Sequence, residues 1–257
     1  MFTSFYGILP LLLFLMLVIW FVWFRRTEST SVFKIEWRTL LSDKVKFYRQ
    51  LSKRDKDRFE KEIVYFLDHV AITGVDVAIT DEDRLLVASS AVIPLFGFIG
   101  LRYRNINEVL LYKARFNSDN QTEGEDRNIL GKVGSGEMNR LMILSLPALR
   151  SGFENENSTS NVGIHEFVHL IDKADGATDG LPESLMQKQY VLPWLKAMHS
   201  EIEKIKSHKS DINPYGATSE IEFLSVASEY FFNQPKKFQE NHPKLYDLMV
   251  EMYKQNL

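Results

Sequence analysis

Two histidines and a glutamate stand in the run Ile164-His165-Glu166-Phe167-Val168-His169-Leu170-Ile171. On a helix, side chains four residues apart project from one face. His165 and His169 can therefore hold one zinc ion and leave positions for a third protein ligand and a water. Glu166 flanks that water as general base, taking its proton as it attacks a peptide carbonyl. The apolar neighbours predict a helix buried on its other sides, where two imidazoles and a carboxylate need partners. The remaining histidines, His69, His199, His208 and His242, have no such setting and read as ordinary surface residues.

The residues leave the third ligand open among three carboxylates. Asp175 lies ten residues after His165, the spacing used by metzincins, but the Gly at which that class turns its chain is Asp172 here. Glu222 and Glu229 are seven apart, two turns along one face of a helix expected over residues 218–233. Asp172, one turn beyond His169, is placed to accept the free ring N–H of a ligand histidine.

The elements that must position these groups can be read from the same sequence. Residues 36–70 predict two helices broken near Leu51-Ser52, with Ser52 as N-cap and Phe59, Ile63, Phe66, Leu67 and Val70 on a core face. Residues 75–79 predict a strand, and residues 81–96 a helix whose acidic first turn suits its dipole. Residues 109–116 and 140–145 are further strands, separated by a polar, acidic loop over 117–128. The strand at 140–145 is expected as an edge beside the metal, where an extended peptide could add to it. Helices follow at 161–173, at 183–207 with a break at Pro193, at 218–233 and at 243–255. The sum is an α+β, helix-dominated domain with a small sheet, and its His165-Glu166-Phe167-Val168-His169 helix makes a zincin-type metallopeptidase the expectation.

Composition narrows the chemistry. There is no cysteine among the 257 residues, so disulfides and thiolate-held metal are excluded and a metal must rest on His, Asp and Glu. The formal net charge of −3 shows no basic excess of the kind that tracks a nucleic-acid backbone, so no direct nucleic-acid binding is expected.

Residues 5–24 carry no charge, are apolar on every face and end at Arg25-Arg26. That length spans a bilayer, and the basic start and small-residue cleavage site of a signal peptide are missing. Between Arg25 and Lys61 there are 12 Lys or Arg against 6 Asp or Glu. The positive-inside bias thus predicts a single-pass membrane protein whose catalytic domain is cytoplasmic. The expected organisation is an anchor at 1–26, a linker and juxtamembrane helix at 27–50 and the metallopeptidase domain at 51–257. The motif lies outside the span, which argues against intramembrane proteolysis.

The run from His165 to Asp172, with Tyr215-Gly-Ala-Thr-Ser-Glu-Ile-Glu222-Phe and Ser228-Glu229-Tyr230-Phe231-Phe232, resembles the Mlc titration factor A family of zinc peptidases from about Leu51 onward. More distantly, residues 215–223 are similar to the catalytic domain of anthrax lethal factor. The resemblance implies Glu222 as third zinc ligand and Tyr215 as hydrogen-bond donor to the oxyanion. It also implies aminopeptidase action on a peptide or protein substrate, a bacterial origin, and a transcriptional repressor as partner. The N-terminal span departs from the family's soluble founding member. A rival from another class is a membrane-anchored regulatory protein that binds a repressor and uses zinc structurally; an intact Glu166 argues against it, since a closed structural site needs no base.

Overall fold

The computed structural model describes residues 32–257, residues 124 and 135 apart. The expected anchor at 5–24 and the polar linker at 27–31 lie outside the described residues. Among the described residues no helix is long and apolar enough to cross a membrane. Residues Phe33–Leu257 form one compact unit.

Three helices open it: α1 (Glu36–Lys44), α2 (Lys46–Gln50) and α3 (Lys53–His69). The break expected at Leu51-Ser52 is present, with Ser52 Oγ accepting the Asp55 N–H at 3.2 Å. A second break falls at Val45, whose backbone is extended. Trp37, Leu41 and Tyr48 are buried, so α1 and α2 belong to the core.

Strand β1 (Ala71–Val75) starts four residues earlier than the expected strand at 75–79. Asp76 takes a left-handed φ of 54° and turns the chain, and Gly74 lets it fold back, since a Cβ there would lie 2.1 Å from the Val77 carbonyl oxygen. The apolar residues Val77 and Ile79 pack on the core from this turn rather than from a strand.

Helix α4 (Asp81–Leu95) is fixed at its start by a capping box between Thr80 and Asp83. The fully buried Asp83 also takes a two-point ion pair from Arg150, at 2.7 and 2.9 Å. That pair ties α4 to α5 (Leu146–Glu154). Although burial pushes the Asp83 carboxyl up, the Arg150 and Thr80 hydrogen bonds prevail and hold it below the usual carboxylate range.

The sheet has order β1-β2-β4-β3, with β2 at Glu108–Tyr112, β3 at Gly131–Val133 and β4 at Leu141–Ser145. β1, β2 and β4 are parallel and β3 is antiparallel to β4. The expected edge strand at 140–145 is therefore interior, flanked by β2 and β3, and the edge is the three-residue β3. α6 (Val162–Asp172) packs against β3, β4 and α4.

The remainder is helical: α7 (Lys188–Lys206), α8 (Glu220–Asn233), α9 (Pro235–Asn241) and α10 (Pro243–Tyr253). α7 starts later than the expected residue 183 and runs through Pro193 without the expected break. Pro193 and Gln189 one turn before it are both exposed, so the carbonyl that loses its partner can bond water. The α+β, helix-dominated class with a small sheet is the architecture observed.

Candidate metal centre

α6 carries His165, Glu166 and His169, and Asn161 caps it by accepting the Ile164 N–H at 3.1 Å. Gly163 lets the helix seat against α4, because a Cβ there would lie 2.1 Å from Ser90 Oγ. α8 crosses it, capped by Ser219, whose hydroxyl accepts the Glu222 N–H at 3.2 Å. Glu222, Ser225 and Glu229 form one stripe of α8, at i, i+3 and i+7, and all three meet the histidines.

The contacts sort by ring nitrogen. Glu229 Oε1 bonds His165 Nδ1 at 2.7 Å, and Ser225 Oγ bonds His169 Nδ1 at 3.1 Å. Both Nε2 atoms face Glu222, whose Oε2 lies 2.9 Å from His165 Nε2 and 3.6 Å from His169 Nε2. Occupied Nδ1 atoms leave the Nε2 lone pairs for a metal, the arrangement that orients histidine ligands. Two imidazole nitrogens and one carboxylate oxygen, with no thiolate, form a donor set that fits zinc or a similar divalent ion.

Glu166 stands beside this set: ligand atoms of His165, Glu166 and His169 all lie within 4.8 Å of one another. Of the two glutamates, Glu222 is the one in contact with both Nε2 atoms. Glu166 is instead covered by β3, since a Cβ on Gly131 would lie 2.5 Å from Glu166 Oε1. Glu166 is 5% exposed; desolvation raises its pKa, against the pull of the two histidines.

Electrostatics couple these groups. Burial pushes the Glu222 carboxyl up, but hydrogen bonds from His165 and His169 outweigh it and hold the pKa at about 2. Burial works against a charge on His165, yet Glu229 and Glu222 raise its pKa well above the ordinary imidazole range. A metal bound here therefore displaces a proton. Tyr215 sits in a 3-10 turn, Pro214–Ala217, where Asn213 Oδ1 accepts its N–H at 3.0 Å. Its ring centroid is 6.1 Å from that of His165 and its side chain is half exposed. Partial desolvation and the Glu222 and Glu166 carboxylates raise its pKa.

The structure gives Asp172, Asp175 and His242 partners away from the two Nε2 atoms. The Oδ2 of Asp172 accepts the Gly180 N–H at 3.0 Å and so holds the loop after α6 rather than a histidine ring. Asp175 accepts the N–H groups of Ala177 and Glu183, each at 3.1 Å, and shapes its own loop. His242 is not a surface residue: it is 8% exposed, with Nδ1 3.2 Å from Glu201 and Nε2 2.7 Å from Asp211. His69, His199 and His208 are exposed as expected. Ser225 and Gly131 are site residues that the sequence reading missed. Ser225 was available from its place between Glu222 and Glu229; Gly131 has no side chain to signal it.

A domain that presents two histidines and a glutamate on crossing helices, beside a buried glutamate, has the side chains of a metal-dependent enzyme. Residues 20–254 match the glucose-regulated metallo-peptidase M90 family, and the chain belongs to that family. It is 28% identical over 245 residues to the uncharacterized protein slr2042 of Synechocystis, covering 91% of this chain and 89% of that protein. It is 29% identical over 203 residues to the Mlc titration factor A of Salmonella arizonae, covering 73% and 77%. Against that of Escherichia fergusonii it is 29% identical over 162 residues, covering 58% of this chain and 60% of that protein.

Proposed function

We propose that this chain is a zinc-dependent peptidase with a zincin-type, gluzincin-like site in which His165, His169 and Glu222 hold the metal. One observation carries the reading: a single oxygen, Glu222 Oε2, stands against both Nε2 atoms while each Nδ1 is tied to α8. Bound zinc supplies Lewis acidity, polarising a carbonyl and making water nucleophilic near neutral pH.

The chain's own residues do the rest. Glu166, desolvated and with a raised pKa, takes the proton of the attacking water on its carboxylate and returns it to the leaving amine. Tyr215, at the open side, donates its hydroxyl to the oxyanion. The peptide lies along the free edge of β3, bonded through main-chain groups, so side-chain preference is modest.

Aminopeptidase action is the form of this activity that the family resemblance favours. The name of the relatives links them to Mlc, and binding of a transcriptional repressor by this chain is proposed on that basis. The charge bias after residue 24 supports a membrane-held enzyme with its catalytic domain in the cytoplasm. The test is metal analysis of the purified protein together with digestion of a peptide library by wild type and Glu166→Gln. Cleavage by wild type alone, with equal zinc in both, supports the peptidase; full biological function in Glu166→Gln would instead favour the regulatory protein with structural zinc.

A further inference from the structure

We propose that the strap formed by residues 173–187 sets the position of Glu222, with Asp172 and Gly180 as positioning residues; this rests on Glu222 being the third ligand. Asp172 ends the helix that carries both histidines and is 1% exposed. Its Oδ2 holds the Gly180 N–H at 3.0 Å, which brings the strap back across the end of α6. The Gly180 carbonyl accepts the Trp194 Nε1–H at 2.9 Å, anchoring the same residue to α7. Trp194 is fully buried and its ring lies 6.0 Å from that of Phe223, the residue after Glu222.

Gly180 thus presses directly on the first turn of α8. A Cβ on it would lie 2.4 Å from the Glu220 carbonyl oxygen and 3.2 Å from the Ile221 nitrogen. Those atoms belong to the two residues before Glu222. Any push on them moves the start of α8, and with it the distance from Glu222 to the two imidazoles on α6. The strap is therefore a spacer between the helix that supplies two ligands and the helix that supplies the third.

The strap contains its own control. Gly176 and Gly180 both have left-handed φ values, 99° and 76°, but a Cβ on Gly176 would meet nothing within 4 Å. Alanine strains the backbone at either position, and only at Gly180 does it also push on α8.

Zinc affinity would be measured on the full-length protein by competition with a chromogenic chelator, alongside thermal melts of the metal-free forms. Gly180→Ala should weaken zinc binding about tenfold or more, as supporting-shell changes do. Gly176→Ala should stay within about twofold of wild type even where its melting temperature falls as much. Equal affinities in the two variants would overturn the proposal. Should Gly180→Ala not fold, Trp194→Phe keeps an aromatic ring at this buried position while removing the donor to Gly180 and leaving a small cavity. It should lower affinity about threefold or more, a loss near that of one hydrogen bond, and wild-type affinity there would also overturn the proposal. Glu222→Ala separates the two layers of the argument. If it loses zinc while Gly180→Ala does not, the spacer fails and the ligand stands; if it retains wild-type affinity, both fall.

Discussion

Glu229 holds His165 Nδ1 at 2.7 Å with one carboxylate oxygen and the backbone N–H of Asn161 with the other. Asn161 caps the helix that bears His165, so one side chain fixes both the ring and the start of its helix. Glu229→Gln keeps the size but turns an amide donor toward one of two groups that are themselves donors. Zinc affinity should fall ~10–100-fold, and the buried mismatch should cost about 1–3 kcal/mol of stability. Chelator competition and a denaturant melt check the two effects separately; unchanged affinity would mean that α6 alone orients His165.

Metal content and turnover together separate the roles of three other carboxylates, Glu222, Asp175 and Glu166. Glu222→Ala leaves two protein ligands where catalytic zinc sites keep three, so bound zinc should be largely lost. Asp175→Ala removes only contacts within its loop and should keep the metal. Glu166→Gln should keep zinc and lower turnover about 10²–10⁴-fold, the range for a positioned general base. Zinc loss in Asp175→Ala with retention in Glu222→Ala would reverse the assignment.

The difference between what the sequence told and what it hid follows from how local each signal is. His165, Glu166 and His169 lie within one helical turn and a half, and Glu222 and Glu229 are two turns apart on one stripe, so period and chemistry coincide. β3 is three residues long, too short for an alternating pattern, and its contact with Glu166 is made by Gly131, where the informative feature is a missing side chain. His242 sits in Asn-His-Pro, a turn-like setting, while the carboxylates that bury it come from α7 and the loop after it. Partners distant in sequence leave no mark on local pattern.

That buried cluster makes stability depend on pH in both directions. Burial pushes Glu201 and Asp211 up, but their hydrogen bonds prevail and place both at about 2. Their contribution is present above the ordinary carboxylate range near 4 and is lost as pH falls through about 2. His242 has a raised pKa, because Glu201 and Asp211 outweigh its desolvation. Its contribution is complete below the ordinary imidazole value near 6.5 and fades as pH rises through the higher folded value. His242→Gln should cost about 2–3 kcal/mol in mildly acidic solution and less at alkaline pH. Denaturant melts across pH check this, and a cost independent of pH would show that His242 acts by packing alone.

The edge strand makes the most specific prediction about substrate. In the β3–β4 ladder, Ser145 N–H donates to the Leu130 carbonyl and Gly134 N–H donates to the Leu141 carbonyl, each at 2.8 Å. Even-numbered residues of this strand therefore face β4, and the N–H and C=O groups of Gly131 and Val133 point to the free edge. Val133→Pro removes one outward donor while leaving the inward bonds in place, so peptide turnover at low substrate concentration should fall about fivefold or more. Zinc content should not change, because Val133 is not one of the residues proposed to hold the metal. Gly131→Ala tests the other face of the same residue pair: its methyl group would meet Glu166 Oε1 at 2.5 Å and must displace it. Activity should then fall about 10²-fold, as a misplaced general base implies, again with zinc retained. Unchanged turnover in Val133→Pro would remove β3 from substrate binding, and unchanged turnover in Gly131→Ala would show that Glu166 does not act from the place where β3 holds it.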